Sequence, residues 1–134
     1  VTEQWSQDAL VFDETALTQL FGAGEAPALS SYYALFIEQA LPLLEIFHPE
    51  REQQSLQVLE KLAHKLKSSS SSVGAHALGE ILGMVETACL AGDQAALARL
   101  VPQTYTVAAR TLDAMAAFQS RLTVSESNAQ KLQD

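Results

Sequence analysis

The chain has 134 residues, 48% hydrophobic and 18% charged, which suits one domain with one core and is too apolar for a disordered chain. The net charge of −8 repels phosphate backbones and anionic lipid, which argues against nucleic-acid and membrane-surface partners. A single cysteine, Cys89, rules out an internal disulfide or a cysteine metal cluster and fits a reducing compartment, and no apolar run approaches the ~18 residues of a membrane span.

The opening VTEQWSQDAL is polar and acidic and does not read as a secretory leader; a start at Val1 is read as a fragment of something longer. The first helical signal is FDETALTQLFGAG. Asp13 stands as its N-cap, Leu17, Leu20 and Phe21 form an apolar side, and Gly22 with Gly24 ends it. A second helix is expected from Pro27, with Leu29, Tyr33, Phe36, Ala40, Leu43, Leu44 and Phe47 at helical spacing and a kink at Pro42. His48-Pro49-Glu50 punctuates its end.

The third helix is expected to start close to Glu50 and to carry Leu56, Leu59, Leu62, Ala63 and Leu66. The fourth follows Gly74 with Leu78, Ile81, Leu82, Val85 and Cys89, and stops at Ala91-Gly92. Asp93 caps a fifth, whose apolar set runs from Leu97 to Leu122 with a kink at Pro102. Residues 123–134 lack periodicity and are expected to form a disordered polar tail. No strand pattern or internal repeat intervenes. The expected fold is all-α: an antiparallel four-helix bundle over residues 1–122 with a short additional N-terminal helix.

One stretch stands out, HKLKSSSSSVGA at 64–75. On a wheel of about 100° per residue, Leu56, Leu59, Leu62, Ala63, Leu66, Ser70 and Val73 share a buried sector. His64 lies roughly 130° from its centre, on the solvent side. Gln57, Glu60, Lys61, Lys67, Ser68 and Ser71 share that outer surface, and Lys61, Lys65 and Lys67 gather three of the eight basic residues around the imidazole. The apolar phase continues through the serines to Val73, so they are read as helix and not as linker. Each serine costs only about 0.5 kcal/mol of helix propensity against alanine. Small outer side chains leave room for another protein to reach His64. His48 and His76 have no comparable surroundings and are read as structural.

His64-Lys65-Leu66-Lys67-Ser68, the serines, Gly74-Ala75 and Leu78 resemble the signature of histidine-containing phosphotransfer (HPt) domains. Met84-Val85-Glu86 and Gly92-Asp93 match the family's downstream pattern, and VFDETALTQLFG resembles the N-terminal helix of such domains at the C-terminal end of hybrid sensor kinases. The resemblance covers about residues 10–122. Ser68 departs from it, standing where the family usually has glycine.

The resemblance implies a phosphorelay intermediate of a two-component system. His64 would take a phosphoryl group from a receiver-domain aspartyl phosphate and pass it to another receiver. Neutral imidazole is a good nucleophile, Lys67 with Lys65 would offset the phosphoryl charge, and Ser68 or Ser71 would donate to its oxygens. Gln57, Glu60 and Lys61 would help dock the partner. No cofactor of its own is expected; Mg²⁺ would come from the receiver, since the chain has neither metal-ligand spacing nor a Gly-rich nucleotide loop. The expected partners are response-regulator receivers and a histidine kinase catalytic region, with the domain monomeric and cytoplasmic, freestanding or tethered within a membrane sensor kinase. The phosphoacceptor domain of a chemotaxis-type kinase and a helical interaction module without chemistry are the alternatives. A helical enzyme or metal protein would need carboxylates or histidines facing each other in the core; the one Glu-x-x-His spacing, Glu45 to His48, stands alone at the end of the second helix, whereas the di-metal pattern needs two.

Overall fold

The computed structural model describes the backbone of residues 11–21 and 26–133, and the side chains of 11–19 and 28–122. Five helices follow in order: α1 (Ala16–Phe21), α2 (Ala26–Ile46), α3 (Leu56–Ser72), α4 (His76–Ala91) and α5 (Gln94–Gln133). No strand occurs among the described residues. Helices α2 to α5 form the antiparallel bundle, closing as a ring in which α3 packs on α4, α4 on α5 and α5 on α2, while α2 and α3 touch least. No described helix is long and apolar enough to cross a membrane.

The apolar spacing delivers the core it implied. Tyr33, Phe36 and Leu43 of α2, with Phe47 just past its end, meet Leu59, Ala63 and Leu66 of α3, the α4 set Leu78, Ile81, Leu82 and Val85, and Leu97, Ala108 and Met115 of α5, all 3% exposed or less. Burying a side chain the size of Leu66 contributes about 2 kcal/mol. The polar or charged residues buried with them are Ser70, Thr104 and Thr111, none a carboxylate or a histidine, so the described core lacks the facing ligands of a metal or carboxylate enzyme.

The turns follow their cap residues. Asp13 accepts from the Thr15 amide and hydroxyl at 2.9 and 2.7 Å, and its own amide donates to Gly74 O at 2.8 Å, strapping α1 to the α3–α4 turn. A Cβ on Gly74, at φ 92°, would lie 2.3 Å from Asp13 O, so only glycine fits there. Gly92 ends α4 in the left-handed conformation, and Asp93 accepts from the Ala96 amide to open α5. The ends expected for α1 at Gly22 and Gly24, and its side chains Leu20 and Phe21, lie outside the described residues.

Two expectations, on the start of α3 and the end of α5, need correction. Helix α3 starts at Leu56, not near Glu50: Ser55 accepts from the Val58 amide at 3.2 Å, and the turn that His48 begins, with the Arg51 amide on its carbonyl, delays the helix. Pro42 and Pro102 sit inside unbroken helices. Both prolines, and the residues Glu38 and Ala98 whose carbonyls lose their donor, are exposed, so those carbonyls are open to solvent donors. Helix α5 runs on to Gln133 instead of ending in a disordered tail at 123; that segment holds neither glycine nor proline to stop it.

Candidate functional site

His64 lies in the middle of α3 with its side chain 70% exposed, the solvent side assigned by the helical wheel. Its ring is not loose. Nδ1 lies 2.5 Å from Oε2 of Glu86, which reaches across from α4 and is 13% exposed. The other oxygen of Glu86 accepts from Lys67 Nζ at 2.6 Å. Lys67 follows His64 by three residues, so both project over one edge of α3, and one carboxylate spans the two.

The Lys67 hydrogen bond, then that of His64, holds the Glu86 carboxyl below its usual range. An ionised carboxylate only accepts, so the proton of the short contact belongs to Nδ1. In the neutral ring that leaves Nε2, the atom reaching furthest from the helix, with a free lone pair in solvent. The arrangement is an exposed imidazole with its inner nitrogen hydrogen-bonded and a cation beside it.

The remaining predicted residues divide. Lys65 is exposed and makes no ion pair among the described residues. Ser68 is exposed four residues on from His64, its carbonyl accepting from Ser72 Oγ. Ser71 Oγ instead donates to the Lys67 carbonyl at 3.4 Å and lies at the seam with α4. Gln57, Glu60 and Lys61 line an open groove with Leu56, Cys89 and Leu90, one to two turns from the imidazole, and Leu90 is 73% exposed. Burial, then Glu60, pushes the Cys89 thiol up, away from reactivity.

Glu86 is the residue the sequence reading left without a role, although Met84-Val85-Glu86 was part of the resemblance. Its reach to His64 depends on how α4 folds back on α3, which periodicity within one helix does not report. The other two histidines are structural in their contacts. His76 Nε2 faces Asp13 at 3.6 Å, and His48 packs edge-on against Tyr105 while accepting from the Glu50 amide.

The four-helix bundle thus presents on its surface a histidine, His64, whose inner ring nitrogen is held by a carboxylate of the neighbouring helix. The Hpt domain family model matches residues 31–121. Sensor protein TorS of Escherichia coli (strain K12) is 33% identical over 86 residues, covering 64% of this chain and 9% of that protein. No solved structure gives a significant match. The chain belongs to the Hpt domain family, and its role is histidine phosphotransfer in a phosphorelay.

Proposed function

We propose that His64 is the phosphorylated residue and that Glu86 and Lys67 make it competent in both directions. The observation carrying this is the Nδ1–Glu86 contact, which leaves Nε2 as the free ring nitrogen. The Nε2 lone pair attacks phosphorus of a receiver's aspartyl phosphate, the P–O bond to the acyl oxygen breaks, and the aspartate leaves as carboxylate. The ring, still protonated on Nδ1, becomes a phosphoimidazolium whose charge faces Glu86. In the return step the P–N bond breaks and the ring leaves as neutral imidazole, a far better leaving group than imidazolate. Glu86 therefore supports both steps through one hydrogen bond.

Lys67 supplies positive charge beside the phosphoryl oxygens, held in place by Glu86 instead of sweeping through solvent. Ser68 has its hydroxyl on the same outer face, whereas Ser71 already donates to a backbone carbonyl. Lys65 adds general positive potential. The Mg²⁺ of this chemistry is assigned to the receiver, and the domain acts as a shuttle without an ATP site of its own. Receiver domains would dock over the imidazole, with Leu90 entering an apolar recess and Gln57, Glu60 and Lys61 at its rim. Such a contact suits a transient interface below about 1,200 Å².

This chain spans only 9% of the TorS length. By that similarity we assign it as a module of a larger sensor protein; we take the module itself to be cytoplasmic and monomeric. The test is to mix the domain with a receiver pre-phosphorylated on aspartate. Label should move onto the parent as an acid-labile, base-stable phosphate and not onto His64→Gln. Label on that variant would place the chemistry on another histidine.

A further inference from the structure

Helices α3 and α4 run antiparallel, and three pairs step along their seam in register: Gly79 with Ser71, Gly83 with Lys67, Glu86 with His64. At the first pair the two backbones nearly touch. A Cβ on Gly79 would lie 2.5 Å from Ser71 Oγ, 3.1 Å from the Lys67 carbonyl oxygen and 3.4 Å from the Ser71 nitrogen. The hydroxyl can turn away and the amide is at ordinary contact, but the carbonyl belongs to the α3 backbone and cannot turn. At the second pair a Cβ on Gly83 would meet Cδ of Lys67 at 3.4 Å, so bare backbone is the floor on which the lysine stem lies. At the third, Glu86 closes on both Nδ1 and Nζ at 2.5 and 2.6 Å.

Glycine is the poorest helix former after proline, and two of them one turn apart inside α4 run against local propensity. Two simultaneous close contacts leave one carboxylate little slack if the helices part. We propose that Gly79 and Gly83 are positioning residues for the phosphoacceptor: the missing side chain of Gly79 sets the α3–α4 separation at which one carboxylate holds both the ring and the ammonium, and that of Gly83 leaves the lysine stem its bed on the α4 backbone. Gly79 acts through backbone contact and Gly83 through the lysine stem. The inference rests on His64 as phosphoacceptor and extends control of its tautomer to two residues that touch neither the ring nor the phosphoryl group.

Three variants of the whole chain test it: Gly79→Ala, Gly83→Ala and, as control, Gly92→Ala. Gly92 has φ 66° and nothing within 4 Å of an added Cβ, so alanine there strains the α4 cap without touching the seam. The readouts are the ¹⁵N spectrum of the His64 ring, which reports the tautomer, and the rate of phosphoryl uptake from a phosphorylated receiver. Gly79→Ala should remain helical by circular dichroism, move His64 from the Nδ1–H form towards a mixture, and slow uptake about tenfold. Gly83→Ala should shift both the same way by less, since the lysine stem can yield, and it carries the test should Gly79→Ala not fold. Gly92→Ala should lower the melting temperature alone. A folded Gly79→Ala, or failing that Gly83→Ala, with the parent's tautomer overturns the proposal. The tautomer decides this inference and uptake by the parent decides the phosphoacceptor reading, so the two fail separately.

Discussion

Two histidines of this bundle face a carboxylate, and they do so with opposite nitrogens. His64 presents Nδ1 to Glu86 at 2.5 Å, whereas His76 presents Nε2 to Asp13 at 3.6 Å. His64 thus keeps its outer nitrogen free, as the proposed transfer requires. His76, the first residue of α4, uses that atom to help strap α1 over the turn at Gly74. The side chains differ in setting as well, 70% against 41% exposed. A histidine–carboxylate pair is therefore not by itself a sign of function; which nitrogen it leaves free decides.

The comparison can be broken most sharply by removing each ring. His64→Gln should abolish phosphoryl uptake, while His76→Gln and His48→Gln should keep it near the parent's rate; a kinetic quench series measures all three. Next in size is the carboxylate. Glu86→Ala should slow uptake by about ten- to a hundredfold, because it frees both the tautomer and Lys67. Glu86→Gln, which keeps an acceptor for Nδ1–H, should lose less than Glu86→Ala. The same substitution of the other pair, Asp13→Ala, should leave uptake unchanged and lower the melting temperature by a few degrees through the lost cap.

The smallest effect is in acid. Lys67 and His64 hold the Glu86 carboxyl below its usual range, and the Thr15 hydrogen bonds do the same for Asp13. A carboxyl with a lowered folded pKa contributes stability that is fully present above its unfolded value and is lost as pH falls through the folded one. Melting temperature should therefore drop as pH falls below the ordinary carboxylate range. Glu86→Gln should flatten part of that drop and Asp13→Asn another part, as thermal melts across acid pH would show.

Much of this was written locally. The steps of three and four that bury Leu59, Ala63 and Leu66 also turn His64 outward, so one periodicity reports both core and site. Gly92 and Asp93 marked their helix ends, and Asp13 the turn leading into α1, because capping chemistry is local to the turn. The start of α3 was less legible, since residues 50–54 are all acceptable in a helix and only the Ser55 cap with the preceding turn holds them out. The end of α5 was missed for the converse reason: lack of apolar rhythm is not a stop signal when no residue breaks the helix. Glu86 was out of reach for a different cause. Its partner lies 22 residues away on another helix, and the register joining them is set at the Gly74 turn and the Gly79 contact, both products of tertiary packing.

The most direct test of the central claim is to find the atom that carries the phosphoryl group. The domain, labelled with ¹⁵N in its histidines, would be phosphorylated by a receiver and examined for coupling between ³¹P and ring nitrogens. Coupling to Nε2 of His64, with Nδ1 still protonated, is the predicted result. Coupling to Nδ1 of His64, or to either nitrogen of His48 or His76, would contradict the assignment of Glu86 as the group that holds the ring for transfer.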